Sequence, residues 1–265
     1  MNHSLAEPAS SLAVLRGDAD IAAIGALVAD RGRCSILLAL DGGRALPASR
    51  LANEAGVSAA TASSHLRKLT QAGLLAVEAH GRNRYYRLAG PDVGHLIEVL
   101  QQLAPSHPVR SLRQATRAQA LRRARTCYDH VAGRVGVGLM TAMINHRQLE
   151  GGDGTFNPDL APRDKRTGYG HDLDYILTPA GEKFLAKFAV QLPPRRPVVR
   201  YCVDWSEQRH HLAGALGRGL LDRLTDLQWV LRTDASRALR VTDIGRRGLS
   251  DTFDIQLDDS FLASR

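Results

Sequence analysis

A chain of 265 residues is too long for one minimal binding module and has room for two domains. Its 44% hydrophobic content supports packed cores and excludes a disordered chain, and 5% aromatic content argues against a base-stacking binder of single strands. The formal charge of +8 suits a polyanionic partner, whether DNA, RNA or an anionic membrane surface.

No run of about 18 apolar residues is present, so no bilayer span is expected and the membrane is not an expected partner. Residues 1–18 lack the basic start and apolar run of a secretory signal and read as a flexible tail. The cysteines Cys34, Cys127 and Cys202 are sparse and without CxxC spacing, which does not describe a disulfide scaffold; a cytoplasmic location with reduced thiols is expected.

Residues 19–40 read as two helices, with apolar stripes at Ile21, Ile24, Leu27 and Val28 and at Ile36, Leu37 and Leu40. Asp41-Gly42-Gly43 predicts a left-handed glycine end to the second. Ala48 to Ala55 is a short helix stopped by Gly56, and Ser58 caps a helix running to about Ala72 and Gly73. The period then becomes two-fold: Leu74, Leu75 and Val77 lead to a turn at Gly81, and Tyr85 to Leu88 return. A helix from Val93 to Leu103, capped by Asp92, closes a unit bounded by Pro105 and Pro108.

This pattern is a supporting helix, a tight turn, a second helix and a hairpin. Leu51, Ala52 and Ala55 pack inward, as do Ala62, Leu66 and Leu69 on the second helix. Ser58, Ala59, Thr61, Ser63, Ser64, His65, Arg67 and Lys68 are left as candidate DNA contacts: small hydroxylic side chains let a helix enter a major groove about 12 Å wide, and Arg67 and Lys68 suit phosphates at its edge. Arg82, Asn83 and Arg84 at the hairpin tip suit a minor groove or flanking backbone. Between Arg44 and Gly90 the cations Arg44, Arg50, Arg67, Lys68, Arg82, Arg84 and Arg87 stand against only Glu54 and Glu78.

The stretch VSAATASSHLRKLTQAGLL followed by GRNRYYRL resembles the ArsR/SmtB family of winged helix-turn-helix repressors, over about residues 18–104. The resemblance implies a homodimer that binds double-stranded DNA, dimerises through its first and last helices (around Ile21 to Ala29 and Val93 to Leu103), and is released by a metal or another inducer. The family's metal positions are poorly matched. SRLANEAG, before the recognition helix, has no cysteine, and Asp92 and His95 lack the second pair needed downstream. No cofactor and no metal site is expected there.

Residues 106–126 form a basic linker, read as a helix carrying Arg110, Arg113, Arg117, Arg122, Arg123 and Arg125. Beyond it lies an internal duplication. HVAGRVGVGL (His130 to Leu139) matches HLAGALGRGL (His211 to Leu220) at an offset of 81, and LTPAGEKFL (Leu177 to Leu185) matches VTDIGRRGL (Val241 to Leu249) at an offset of 64. Cys127-Tyr128-Asp129 parallels Cys202-Val203-Asp204. The expected architecture is α+β: a winged helix-turn-helix at 19–105, then 127–265 built of two winged-helix-like repeats, about 127–192 and 202–255.

Pseudo-symmetry would bring Cys127, Asp129, His130, Cys202 and Asp204 together as a sensor. Three readings stand: duplicated core positions, a redox thiol pair, or thiolate and imidazole ligands for Zn²⁺. Trp205, Trp229 and Tyr201 are candidates to line an inducer pocket, with core packing the simpler account. His210-His211 is a weak metal cue. Cys127, Asp129 and His130 do not have triad spacing, and no P-loop, dinucleotide or HExxH pattern occurs, so no catalysis is expected. The expected function is a homodimeric repressor on a partly palindromic operator, answering a small-molecule or redox signal. The alternative is a weakly specific architectural DNA-binding protein using Arg113 to Arg125 as a second phosphate patch.

Overall fold

The computed structural model describes residues 18–80, 83–105, 111–156, 175–233 and 236–257. The expected tail up to residue 17, the turn at Gly81 and Arg82, and residues 157–174 of the Gly-rich insertion lie outside the described residues.

The first unit runs α1 (Ile21–Val28), α2 (Arg31–Leu40), β1 (Leu46–Pro47), α3 (Ala48–Ala55), α4 (Ala59–Gln71), β2 (Leu75–His80), β3 (Asn83–Leu88) and α5 (Pro91–Leu103). Asp20 and Asp30 start the first two helices by accepting the amides of Ala23 and Arg33. Gly56, at φ 65°, makes the left-handed turn that lets α3 and α4 cross. The strands form an antiparallel sheet in the order β1-β3-β2. Ile36, Leu37, Leu40, Leu51, Leu66 and Leu69 build the core that fixes α4 on α2 and α3. Two local expectations shift. Asp41 itself, in extended backbone, ends α2 before the glycines, and α5 begins at Pro91 after Gly90, so Asp92 sits in its first turn rather than capping it.

The second unit starts with α6 (Leu112–Arg123). Its first half is β4 (Arg125–Cys127), β5 (His130–Ala132), α7 (Gly133–Asn145), β6 (Leu149–Glu150), β7 (Ile176–Leu177) and α8 (Pro179–Lys187). The second half repeats that order: β8 (Arg200–Val203), β9 (His210–Ala213), α9 (Gly214–Asp226), β10 (Val230–Thr233), β11 (Ser236–Val241) and α10 (Asp243–Phe253). The matching caps agree, since Thr178 accepts the Gly181 amide and Thr242 the Gly245 amide. Among the described residues each half opens on a hairpin and runs ββαββα, an order that differs from the winged-helix order expected of the repeats.

The halves interlock. β4 pairs antiparallel with β11 through Arg125 and Ala238, and Thr155 makes an antiparallel bridge with Arg209. α7 lies on β9 and α9 on β5. Two helix glycines seat each helix on its own hairpin: a methyl on Gly136 would collide with the Val131 carbonyl oxygen, and one on Gly217 would collide with the Leu212 carbonyl oxygen and stand 3.1 Å from His130 Cβ of the other half. The core between the halves gathers Val135, Met140, Met143, Leu216, Leu220 and Leu224.

Buried charge joins the two units. Arg237 of β11 pairs with Asp41 at the end of α2 and, at 2.7 Å, with Glu98 of α5. Arg125 reaches Asp204 at 3.0 Å and Glu98 at 3.9 Å, with Trp205 stacked on its guanidinium. Arg125 is therefore wholly buried on a strand. It leaves the basic linker and the second phosphate patch because a buried guanidinium needs carboxylate partners, and Asp204 and Glu98 supply them.

Candidate nucleic-acid interface and a buried cysteine-histidine cluster

Leu66 and Leu69 bury one face of α4, so the opposite face is presented outward. Ser58 caps the helix, its Oγ 3.2 Å from the Thr61 amide and 2.9 Å from the Thr61 hydroxyl. Ala59, Thr61, Ser63, Arg67 and Lys68 are exposed, and Ser64 is half-buried. The Ser63 hydroxyl donates to the Ala59 carbonyl, which holds it close to the helix. His65 departs from the expected contact set. Its Nε2 lies 3.5 Å from Asp30, with the side chain only 12% exposed, so it braces the start of α2 and points away from the outer face. On the hairpin Arg84 is exposed. Asn83 is described only in its backbone, as the first residue of β3, and Arg82 lies outside the described residues. Arg87 pairs with Glu78 across the strands, which removes it from the phosphate-facing cations.

The expected sensor residues do come together, with one more. In register, Cys127 stands opposite His130 on the β4–β5 hairpin, and Cys202 opposite His211 on the β8–β9 hairpin. The hairpins face each other, so the two Sγ atoms and two ring nitrogens all lie within 4.8 Å of one another, and all four residues are buried. The two Nε2 atoms are 3.2 Å apart. On the far side of each ring stands a carboxylate: Asp129 Oδ1 is 3.3 Å from His130 Nδ1, and Asp204 Oδ2 is 3.6 Å from His211 Nδ1. Arg196 holds Asp129 at 2.5 Å, and Arg125 holds Asp204.

The electrostatics follow from burial and these partners. Burial would push Asp129 up, but His130 and Arg196 outweigh it and draw its carboxyl down to about 2. Burial likewise opposes the charge of Asp204. Arg125, His211, the Gly133 amide and Ser206 hold its carboxyl well below the usual range. A hydrogen bond with Cys202, aided by burial, pushes the Cys127 thiol well above its usual value.

His211 is not singled out in the sequence, where it stands beside His210 as a weak metal cue. Both are on β9, where neighbours point to opposite faces. His210 turns to the Tyr175 hydroxyl at 2.9 Å and stacks on Tyr201, while His211 enters the cluster. The duplication carried the signal, since its offset of 81 maps His130 onto His211.

A cavity of about 210 Å³ opens onto Cys127, His130 and Cys202, walled by His95, Arg196 and Arg200. The residues expected to line a pocket are elsewhere. Trp229 packs on Phe188, Tyr201 on Tyr175 and Trp205 on Arg125. The metal positions implied by the family resemblance do not fit here: α3 (Ala48–Ala55) has no cysteine or histidine, and Asp92 and His95 gain no second pair from the rest of α5. The Cys34 thiol, half-buried, donates to the Val28 carbonyl at 3.1 Å. Among the described residues no helix is long and apolar enough to cross a membrane.

Comparison with known proteins agrees with this layout. A helix-turn-helix domain family model matches residues 28–78, from the end of α1 into β2. An HTH-type transcriptional regulator of Bacillus subtilis (strain 168), YdfF, itself uncharacterised, is 41% identical over 231 residues, covering 86% of this chain and 94% of the relative. The HTH-type regulator Rv0324 of Mycobacterium tuberculosis is 36% identical over 88 residues, 33% of this chain and 38% of that protein. Among solved structures, the homodimeric winged helix-turn-helix DNA-binding domain of Mb0332 from Mycobacterium bovis, described as a possible ArsR-family regulator, is 27% identical. It covers 37% of this chain and all of that fragment, at a TM-score of 0.30. The match to YdfF runs through both units and includes the cysteine-histidine hairpins within its span of this chain's length, so the likeness is not confined to the DNA-binding part. The chain belongs to the helix-turn-helix family of DNA-binding transcriptional regulators.

Proposed function

We propose that the chain is a homodimeric, ArsR/SmtB-like repressor of the cytoplasm that binds a partly palindromic operator in double-stranded DNA and is released by a signal received at the junction of its two units. The observation that carries this reading is the outward face of α4. It is small and hydroxylic at its capped end and cationic at Arg67 and Lys68, with Ala59, Thr61, Ser63, Arg67 and Lys68 exposed to solvent. Thr61, Ser63 and Ser64 would read the groove, Arg67 and Lys68 would hold phosphates, and Arg82, Asn83 and Arg84 would reach the flanking groove.

Dimerisation through α1 and α5 is supported by apolar side chains left outward there. Ile21 is 79% exposed and Leu103 69% exposed, and α1 buries none of its residues. Two copies of α4 would then enter successive major grooves about 34 Å apart. The cavity above Cys127 and Cys202 touches α5 through His95, which puts a signal received there next to a dimer helix.

The test is selection of preferred duplexes from a random pool, then footprinting and salt titration on the best. A discrete two-lobed footprint with a steep salt slope is the expected result. Uniform coating with no preferred sequence would overturn the repressor reading and leave the architectural one.

A further inference from the structure

We propose that Cys127, His130, Cys202 and His211 form a four-ligand site for one thiophilic divalent cation of the Zn²⁺ class, set between the two halves of the duplicated unit beside a cavity that reaches α5. This goes beyond operator binding and stands whether or not the chain represses.

Three observations carry it. First, the donors are the right kind and number: two thiol sulfurs and two imidazole nitrogens are a complete tetrahedral set for zinc. The gap of 3.2 Å between the two Nε2 atoms matches the edge, about 3.3 Å, of a tetrahedron with Zn–N of about 2.0 Å. Second, each histidine turns Nε2 inward and Nδ1 toward a carboxylate, Asp129 for His130 and Asp204 for His211. For His130 that contact, at 3.3 Å, is the outer support that fixes the tautomer and orientation of a metal-binding imidazole; Asp204, 3.6 Å from His211 Nδ1, is beyond hydrogen-bond reach and sets a negative charge beside that ring. Third, the charges close. Arg196 neutralises Asp129 and Arg125 neutralises Asp204. Two thiolates and one divalent cation then make a neutral buried centre, the condition for holding ions out of water. Binding releases the two thiol protons, and the cavity above the cysteines gives cation and protons a path.

The site also sits where an occupant would brace the whole chain. Tyr128 lies in the turn between Cys127 and His130, donates its amide to Asp41 at the end of α2 over 3.2 Å, and packs its ring against Gly94 of α5.

The experiment uses the full chain, reduced and stripped of metal under anaerobic conditions. Titrated with Co²⁺, it should take one equivalent with the intense visible bands of tetrahedral cobalt and a thiolate-to-cobalt absorption, both displaced by one equivalent of Zn²⁺. Cys127→Ser, Cys202→Ser and His211→Gln should each weaken binding by more than Asp129→Asn, whose loss is about 10–100-fold. Cys34→Ser should leave it unchanged. On the unaltered protein, Zn²⁺ should shield two thiols of three from a thiol-specific reagent and raise the unfolding temperature. A weak octahedral cobalt spectrum, equal reactivity of all three thiols with and without Zn²⁺, or a ready Cys127–Cys202 disulfide in place of metal uptake would overturn the proposal.

Discussion

Two hairpins of this chain are built from short antiparallel strands, yet they do opposite work. The β2–β3 hairpin stands at the edge of the DNA-binding unit, with Arg84 in solvent and Arg87 paired with Glu78 across the strands. The β4–β5 hairpin is buried, and most of its polar groups find partners inside the protein. Cys127 faces Cys202, His130 meets Asp129 and His211, and Arg125 takes both Asp204 and Glu98. Exposure lets charge remain available to a ligand as large as DNA. Burial ties each charge to fixed neighbours, as Arg125 to Asp204 and Glu98, and so turns a hairpin into a small, defined site.

The sharpest way to break that difference is to remove one buried charge. Arg125→Met leaves Asp204 and Glu98 in the interior, a loss of about 3–5 kcal/mol, read as a lower urea midpoint of the full chain. Arg84→Ala on the outer hairpin should leave that midpoint within about 0.5 kcal/mol while weakening DNA binding evenly across sequences. A comparable fall for both variants would mean the two hairpins do not differ as argued.

Acid titrates the same buried pair more gently, since a protonated Asp204 is neutral. Its folded carboxyl is held well below its unfolded value, mainly by Arg125 acting against burial. Its contribution is therefore complete above the unfolded carboxylate range of about pH 4 and is lost progressively as pH falls below it. Stability measured by urea at stepped pH should decline from about pH 4 downward, and the Asp204→Asn variant should show a flatter decline.

The same contrast explains what could be read in the sequence. The DNA-binding unit announces itself locally. Ser58 caps, Gly56 turns, Ala62, Leu66 and Leu69 keep the helical period, and the structure sets α3 and α4 to the residues those signals mark. Errors there are small and have local causes, as where Gly90 rather than Asp92 precedes α5. The buried site depends on pairing between segments some 80 residues apart, and only the duplication reveals it. Even that signal was uneven. Cys127 and His130 are three residues apart, whereas the longer turn of the second hairpin places Cys202 nine from His211, so the motif does not repeat by eye. Arg125 reads as one more arginine of a basic run until β11 and Asp204, far along the chain, show what it meets. His65 misled for the converse reason: its partner Asp30 lies on another helix start, invisible to the period of α4.

Interlocking can be probed without touching charge. Gly217→Ala puts a methyl against the Leu212 carbonyl and the His130 Cβ, so α9 must lift away from β9 and from His130 to admit it. A loss of about 1–3 kcal/mol is expected, with weaker uptake of Co²⁺ by the same variant. Gly73→Ala meets no neighbouring atom, although its φ of 72° adds backbone strain, so it should leave cobalt uptake unchanged. Equal effects of the two on cobalt would show that the helix-to-hairpin approach does not set the site.

A small effect on stability belongs to the capped end of α4. Ser58→Ala removes the hydroxyl that accepts the Thr61 amide at the start of α4, a loss of about 1 kcal/mol, seen as a slight fall in urea midpoint. Because the cap is open to solvent, water replaces the lost acceptor and the protein still folds. The same opening aims the first amides of α4 outward, where a phosphate would sit, so DNA affinity should fall by more than the stability change alone explains. Ser58→Asp separates the two roles: a carboxylate restores the cap and the midpoint, but sets a negative charge against the DNA backbone and should leave binding weaker than in Ser58→Ala.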